Sequence, residues 1–200
     1  MAENLAYLPD VYPPEEYSSV DPVNYVYGYT FYDTAEAKAS PYYETYGVLY
    51  NWTSAIQYCP DGWHLPSREE WQQLIDFLGG ESVAGGKLKE AGVIHWDEPN
   101  TGADNSSGFT ALPGGTYFYN TGNQFYGEGS LTYWWSSEGV SSDTVYICGL
   151  SYDKATIRWV TDVTHNGNSI RCIRDEGGSS LKKQIPDIRD EYPILFKPEK

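Results

Sequence analysis

Apolar residues in this chain recur with two different periods. Trp71, Leu74, Ile75 and Leu78 fall at i, i+3, i+4 and i+7, the spacing of one helix face. Ser67 and Glu70 precede and open that run as a capping box, and Gly79-Gly80 closes it. The pattern predicts a helix over 67–78. A shorter helix, capped by Asn51 or Thr53, is predicted through Ala55, Ile56 and Tyr58, and a further short turn at Lys87–Ala91. Elsewhere the pattern is strand-like. Tyr25–Tyr32 alternates in part, Thr45–Trp52 is an apolar run, and four runs follow late in the chain: Thr132–Ser136, Thr144–Tyr152, Thr156–Thr161 and Ser169–Arg174. Turn residues at Ser141–Asp143, Asp153-Lys154 and Asn166-Gly167 separate these four, as in a meander of hairpins. Residues 92–129 read as one long loop, and a loop of that length in a compact domain is functional or held by a metal.

Charge narrows the choice of partner. Asp and Glu outnumber Lys and Arg 28 to 13, a formal net charge of −15. Such a surface repels phosphate backbones and anionic headgroups, so neither nucleic acid nor membrane insertion is expected. No apolar run reaches the length of a membrane helix. Residues 1–46 hold ten of the 19 tyrosines and eight acids against one base, Lys38. Tyr, Trp, Gly, Ser and Asn are the side chains of adaptable recognition surfaces, so the composition leans towards binding. Residues 176–200 carry five acids, five bases and three prolines and read as an extension or linker. Met1–Leu5 has neither a basic nor an apolar leader region, which leaves a cytosolic chain or a trimmed part of an exported one.

Enzyme chemistry finds little support. His64, His95 and His165 form no i, i+4 ligand pair, and there is no HExxH, GxSxG or phosphate-cradling glycine loop. We expect a non-enzymatic protein without a cofactor. Glu98-Pro-Asn100 matches the calcium- and sugar-binding tripeptide of true C-type lectins, but their late Trp-Asn-Asp partner motif is absent. A chance match is the simpler reading, with Glu98, Asp104 and Asn105 left as donors for a structural calcium.

Several longer motifs carry a resemblance. Cys59-Pro-Asp-Gly-Trp-His-Leu-Pro66, Gly85-Gly-Lys-Leu-Lys-Glu90, Ser107–Gly115, Tyr133-Trp-Trp-Ser-Ser137 and Arg171-Cys-Ile-Arg-Asp175 resemble the Fibrobacter succinogenes major paralogous domain family over roughly residues 1–175. The resemblance implies an α+β chain with the C-type lectin-like fold, two helices with small antiparallel sheets and long loops, in a single domain spanning 1–175. It also implies an exported or cell-surface protein, or one on a phage particle, that starts inside a longer precursor. Cys59 and Cys172 match the lectin-fold positions that form a disulfide, which leaves Cys148 over. The formylglycine-generating enzymes share the fold, but their chemistry needs a redox-active cysteine pair or a copper–thiolate site. Two cysteines here are assigned to the disulfide.

The stretch 143–168 resembles the variable region of diversity-generating-retroelement targets, and the recognition face is expected over 132–168. Frame residues there alternate with chemically miscellaneous ones. The implied ligand face comprises Trp135, Ser151, Asp153, Lys154, Thr156, Arg158, Trp159, Asp162, His165 and Asn166. Its partner would be a protein or glycan at a surface, met by a monomeric domain or by part of a larger assembly. The alternative is a structural subunit of a bacterial or phage surface appendage. In that case the Tyr-rich N-terminal segment and residues 176–200 would do the docking.

Overall fold

The computed structural model describes residues 1, 3–119, 122 and 124–175. Strand β1 (Asn24–Tyr25) is followed by helices α1 (Thr34–Lys38) and α2 (Pro41–Tyr46), strand β2 (Leu49–Tyr50) and helix α3 (Trp52–Gln57). Next come β3 (Trp63–His64), the longer helices α4 (Arg68–Phe77) and α5 (Glu81–Leu88), and the strands β4 (Gly114–Phe118), β5 (Gln124–Glu128), β6 (Leu131–Gly139), β7 (Thr144–Ser151), β8 (Arg158–Val163) and β9 (Ile173–Arg174). The class is α+β.

Local chemistry explains where the helices begin. Asp33 accepts from the amides of Ala35 and Glu36 to start α1, and Ser40 with Pro41 starts α2. Asn51 caps α3 through a 2.9 Å bond from the Ser54 amide. Ser67 and Glu70 form both bonds of the capping box on α4. Lys87, in the last turn of α5, donates to the Leu78 carbonyl at the end of α4, 2.8 Å away.

The principal sheet has five strands in the order β5-β4-β6-β7-β8. Antiparallel β6, β7 and β8 form the meander, and β4 meets β6 in parallel through Gly115 and Thr132. Both faces of the central strands β6 and β7 are covered over most of their length. Trp134 opposite Cys148 points into a core with Trp71, Ile75, Leu88 and Trp96. Trp135 opposite Ile147 points into a second core with Val48, Tyr50, Trp52 and Ile170. The period of two along a strand divides the adjacent tryptophans between the two cores. Indole N–H groups that go inside need acceptors. That of Trp135 donates to the Tyr50 carbonyl at 2.7 Å, and that of Trp52 to Ser136 at 3.0 Å.

The N-terminal segment is built into the second core rather than hanging from it. Leu8 and Val11 are buried there, and the Leu5 amide donates to the Ile170 carbonyl at 2.9 Å. A disulfide between Cys59 and Cys172 ties the end of α3 to the approach of β9 across 113 residues. Beside it His64 bridges Asp175 (2.6 Å) and Glu70 (2.8 Å), pinning β3 and β9 to the first turn of α4.

Several expectations are corrected. Five helices replace two among the described residues: α1 and α2 are short capped turns between the tyrosines of residues 33–46, and α5 (Glu81–Leu88) lies largely ahead of the short turn expected at Lys87–Ala91. The strand expected over 25–32 shrinks to Asn24–Tyr25, and the run expected over 169–174 pairs as a strand only at Ile173–Arg174. The loop 92–129 contains the hairpin strands β4 and β5, whose Gly, Asn and Thr content hid their alternation. Residues 176–200, read as an extension, lie outside the described residues.

Two expectations are testable. Closing a loop of this length stabilises by about 4–5 kcal/mol in the chain-entropy model, so urea unfolding of the Cys59→Ser, Cys172→Ser double variant should show a loss of that order. For His64, burial opposes the charge, but the hydrogen bonds to Asp175 and Glu70 outweigh it and raise the imidazole above 6.5. A raised folded value means the contribution is complete below pH 6.5 and fades as pH rises through the folded midpoint. Proton NMR should place that midpoint above 6.5 in the wild type and lower in Asp175→Asn.

Candidate functional site

The sequence-predicted ligand residues separate into three groups. Asp153, Lys154, Thr156 and Arg158 are exposed. They sit on the turn between β7 and β8 and at the start of β8, an outer strand of the sheet. Ser151, Trp159 and His165 are half-buried. Trp135, Asp162 and Asn166 are interior, at 0%, 8% and 3% exposure, and do not belong to a display face.

The cause of each correction is visible in the register. Trp135 faces the second core for the reason given above. Asp162 pairs with Val145 on the face shared with Ile147 and Val160. Its carboxylate accepts from Asn166 and, at 2.8 Å, from Asn168, while the Asn166 side-chain oxygen Oδ1 accepts from the Tyr119 amide at 3.0 Å. Thr116 completes the network by donating to Asn168 at 2.8 Å. These groups join the end of β8 to β4. Burial pushes the Asp162 carboxyl up against the opposing amide donors.

Trp159 packs on the first core, and the guanidinium of Arg68 covers both it and Tyr146, 5.3 and 4.4 Å from the ring centres. His165 lies beside Tyr17 and Tyr119, and burial pushes its imidazole down.

What holds the turn is a feature that the strand pattern does not reveal. Lys89, fully buried, directs its ammonium at three backbone carbonyls: Thr101 at 3.0 Å, Ser151 at 3.1 Å and Lys154 at 2.9 Å. Two of these belong to the β7–β8 turn and the third to the long loop. Trp96 lies 5.3 Å from the same nitrogen. Burial pushes the Lys89 ammonium down to about 8, partly offset by Asp153.

Around this cation the backbones approach too closely for side chains. A Cβ on Gly85 would stand 2.7 Å from the Ala155 carbonyl oxygen, and one on Gly86 would stand 2.2 Å from that of Gly102. The Gly86 amide donates to Ala155 at 3.0 Å, and the Ile157 amide to Glu81 at 2.8 Å. Gly85-Gly86 is therefore a contact surface inside a helix. Two glycines in a helical stretch, followed by a lysine in an acidic chain, were the available signal for it.

Other candidate chemistry does not converge. Asn100 is buried, and its amide donates to the carbonyls of Glu90 and Gly92, while Glu98 faces solvent. Asp104 and Asn105 bond within their own loop, to Ser106 and Thr110. Among the described residues no three His, Cys, Asp or Glu side chains are grouped to hold a metal. Cys148 is buried, and burial pushes its thiol up.

Replacing Lys89 with Met would keep most of the volume but strand three carbonyls. At about 1–3 kcal/mol for each buried unmade bond, Lys89→Met should lose about 3 kcal/mol or more in chemical denaturation. Proteolysis should then begin within the β7–β8 turn.

No curated protein matches this chain, and no solved structure does. A family description does match, and it covers the two cores, the lysine-braced turn and the disulfide together. Over residues 1–174 the chain belongs to the Fibrobacter succinogenes major domain family.

Proposed function

We propose that this chain is a non-enzymatic binding module with the C-type lectin-like fold, working outside the cell, that meets a protein or glycan through the β7–β8 turn and the adjoining edge of β8. The observation that carries this reading is the division of labour at the turn. Its backbone is fixed from beneath by Lys89 and the glycine contacts, whereas its outer side chains do almost nothing for the fold. Among the described residues the Asp153 side chain accepts a bond from the Ser151 hydroxyl alone, at 2.7 Å. Lys154 and Arg158 form no ion pair among the described residues. In a chain with only 13 Lys and Arg, two bases without an ion pair among the described residues, Lys154 on the turn and Arg158 at the start of β8, interrupt an acidic surface beside Asp153. A preordered turn loses little entropy on binding. Positions without structural duty also tolerate replacement, which is what a diversified recognition surface requires.

The disulfide supports an oxidising compartment. No helix is long and apolar enough to cross a membrane among the described residues.

The test is a combined glycan and protein array, followed by titration of the strongest binder. Lys154→Ala with Arg158→Ala should weaken that binding at least tenfold. Its stability should stay within about 0.5 kcal/mol of wild type, as for surface changes away from structural contacts. No binder for the wild type, or equal binding by the variant, overturns the reading. In the second case the surface-subunit alternative takes its place.

A further inference from the structure

Strand β8 is an outer strand of the principal sheet. Among the described residues β7 pairs with it on one side and no strand pairs with it on the other. The register fixes which of its backbone groups are left over. Opposed residues run in unbroken antiparallel order from Thr144 with Val163 to Gly149 with Arg158. One step further, the Thr164 amide donates to the carbonyl of its opposite residue, Asp143, at 2.9 Å. In an antiparallel ladder, opposed pairs that exchange hydrogen bonds alternate with pairs that do not. Counting back from Thr164, residues 162, 160 and 158 bond to β7, and Trp159, Thr161 and Val163 turn their amides and carbonyls to the outer edge. The Val163 amide agrees with this parity, since it donates to the Asp162 carboxylate at 2.9 Å. No backbone outside the ladder bonds the amides and carbonyls of Trp159 and Thr161 among the described residues.

A free edge is a template for another strand, and proteins commonly block it with a proline, a bulge or a covering element. The run Arg158-Trp-Val-Thr-Asp-Val163 has no proline. Its pairing with β7 has no register shift, whereas that of β6 with β7 shifts between Trp135 and Gly139. Thr161 is exposed in the middle of the edge. The other outer strand, β5, is a poorer template, because Gly127 interrupts its extended backbone with a φ of 83°.

Charge selects what such an edge would take. Lys154 and Arg158 are exposed where β8 begins, and the Arg68 guanidinium stands over Trp159 and Tyr146. None of these three bases forms an ion pair among the described residues. Against them at this end stand Asp153, tied to Ser151, and Glu81, whose carbonyl accepts from the Ile157 amide. The balance is locally positive in a chain of net charge −15. Bare amides and carbonyls in alternation call for an extended peptide backbone, and unpaired bases beside them call for carboxylates.

We propose that an extended, acidic segment of a partner protein joins β8 as a sixth strand, with its backbone bonded to Trp159 and Thr161 and its carboxylates at the Arg158 end. Main-chain bonds supply affinity in this mode, and the flanking side chains supply specificity. The proposal rests on the binding role of the β7–β8 turn and narrows its partner from protein or glycan to protein.

The probes are ten-residue peptides with β-branched residues at alternate positions and Glu, Gln or Lys between them. They would be arrayed, and the strongest binder titrated into the full chain. The proposal expects a Glu peptide to bind most tightly and to weaken with salt. Arg68→Gln with Arg158→Gln should weaken it at least tenfold. Thr161→Pro should do the same, since it removes an outward amide and spares the bonds of residues 158, 160 and 162 to β7. N-methylated peptides read the same bonds with the protein untouched: methylation at alternate residues of one parity should cost at least tenfold, and of the other parity less than twofold. Three results overturn the proposal: no peptide binds, the Lys series binds as tightly as the Glu series, or methylation of both parities is tolerated equally. A chain that binds a glycan through Lys154 and Arg158 but none of the peptides overturns the sixth strand and leaves the binding role standing. A chain that binds neither ends both.

Discussion

The central strands β6 and β7 are buried on both faces over most of their length, and most of what distinguishes this molecule follows from that. A strand offers side chains to two sides only. When α4 and α5 cover one side while α3 and the N-terminal segment cover the other, little sheet face is left for display. Under the proposed function, recognition uses the turns and the outer strand. Turns, unlike strands, lack a ladder to hold them, so a binding turn needs bracing from elsewhere. Lys89 and the glycine surface of α5 supply it. The polar network around Asp162 fixes the far end of β8 in the same way. Each bracing group reaches backbone or side chains that are distant in sequence, so the exposed tip between them is positioned by the whole domain.

How much of this was legible depended on the range of the interaction. The α4 helix was fully readable, since its caps and apolar stripe lie within a dozen residues. So was the order of β6, β7 and β8, because Gly, Asn, Asp and Ser mark the turns between them. Asp162 was misread as a ligand residue because alternation shows only that a residue shares a face with Val160. It does not show which face is covered. Trp135 was misplaced for the same reason: adjacent tryptophans must point to opposite sides, and a second core was needed to bury both. Lys89 was invisible as a brace because its three carbonyl partners come from residues 101, 151 and 154. Side-chain identity carries no information about backbone oxygens. The disulfide was available only through family likeness, since three cysteines allow three pairings.

Electrostatics give the domain two unlike surfaces. The net charge of −15 disperses over most of the exterior, where it keeps copies apart. At the β7–β8 turn Lys154 and Arg158, which form no ion pair among the described residues, interrupt it, and around Asp10, Glu16 and Asp21, likewise without one among the described residues, it is concentrated. Both departures occur where the backbone is held by buried side chains, Lys89 in one case and Asn51, which donates to the Ser18 and Asp21 carbonyls, in the other. A charge on a rigid support keeps its position without spending side-chain partners on it, and is free to meet a charge from outside. Evenly dispersed charge would need no such support.

A buried lysine where a metal might have served has a physical consequence. Calcium bridges loops through oxygen ligands, several of them carboxylates. That arrangement makes loop order depend on the free ion concentration. The ammonium of Lys89 engages the same kind of ligand, carbonyl oxygen, but is covalently present in every copy. Its three N–H groups match three carbonyls, so the charge is satisfied without a carboxylate in contact. Desolvation is the cost, and it shows as the fall of the ammonium to about 8. At neutral pH the group therefore remains charged, and the brace stays in place. A turn secured in this way does not depend on a bound cation for its order, which fits the binding role proposed for it.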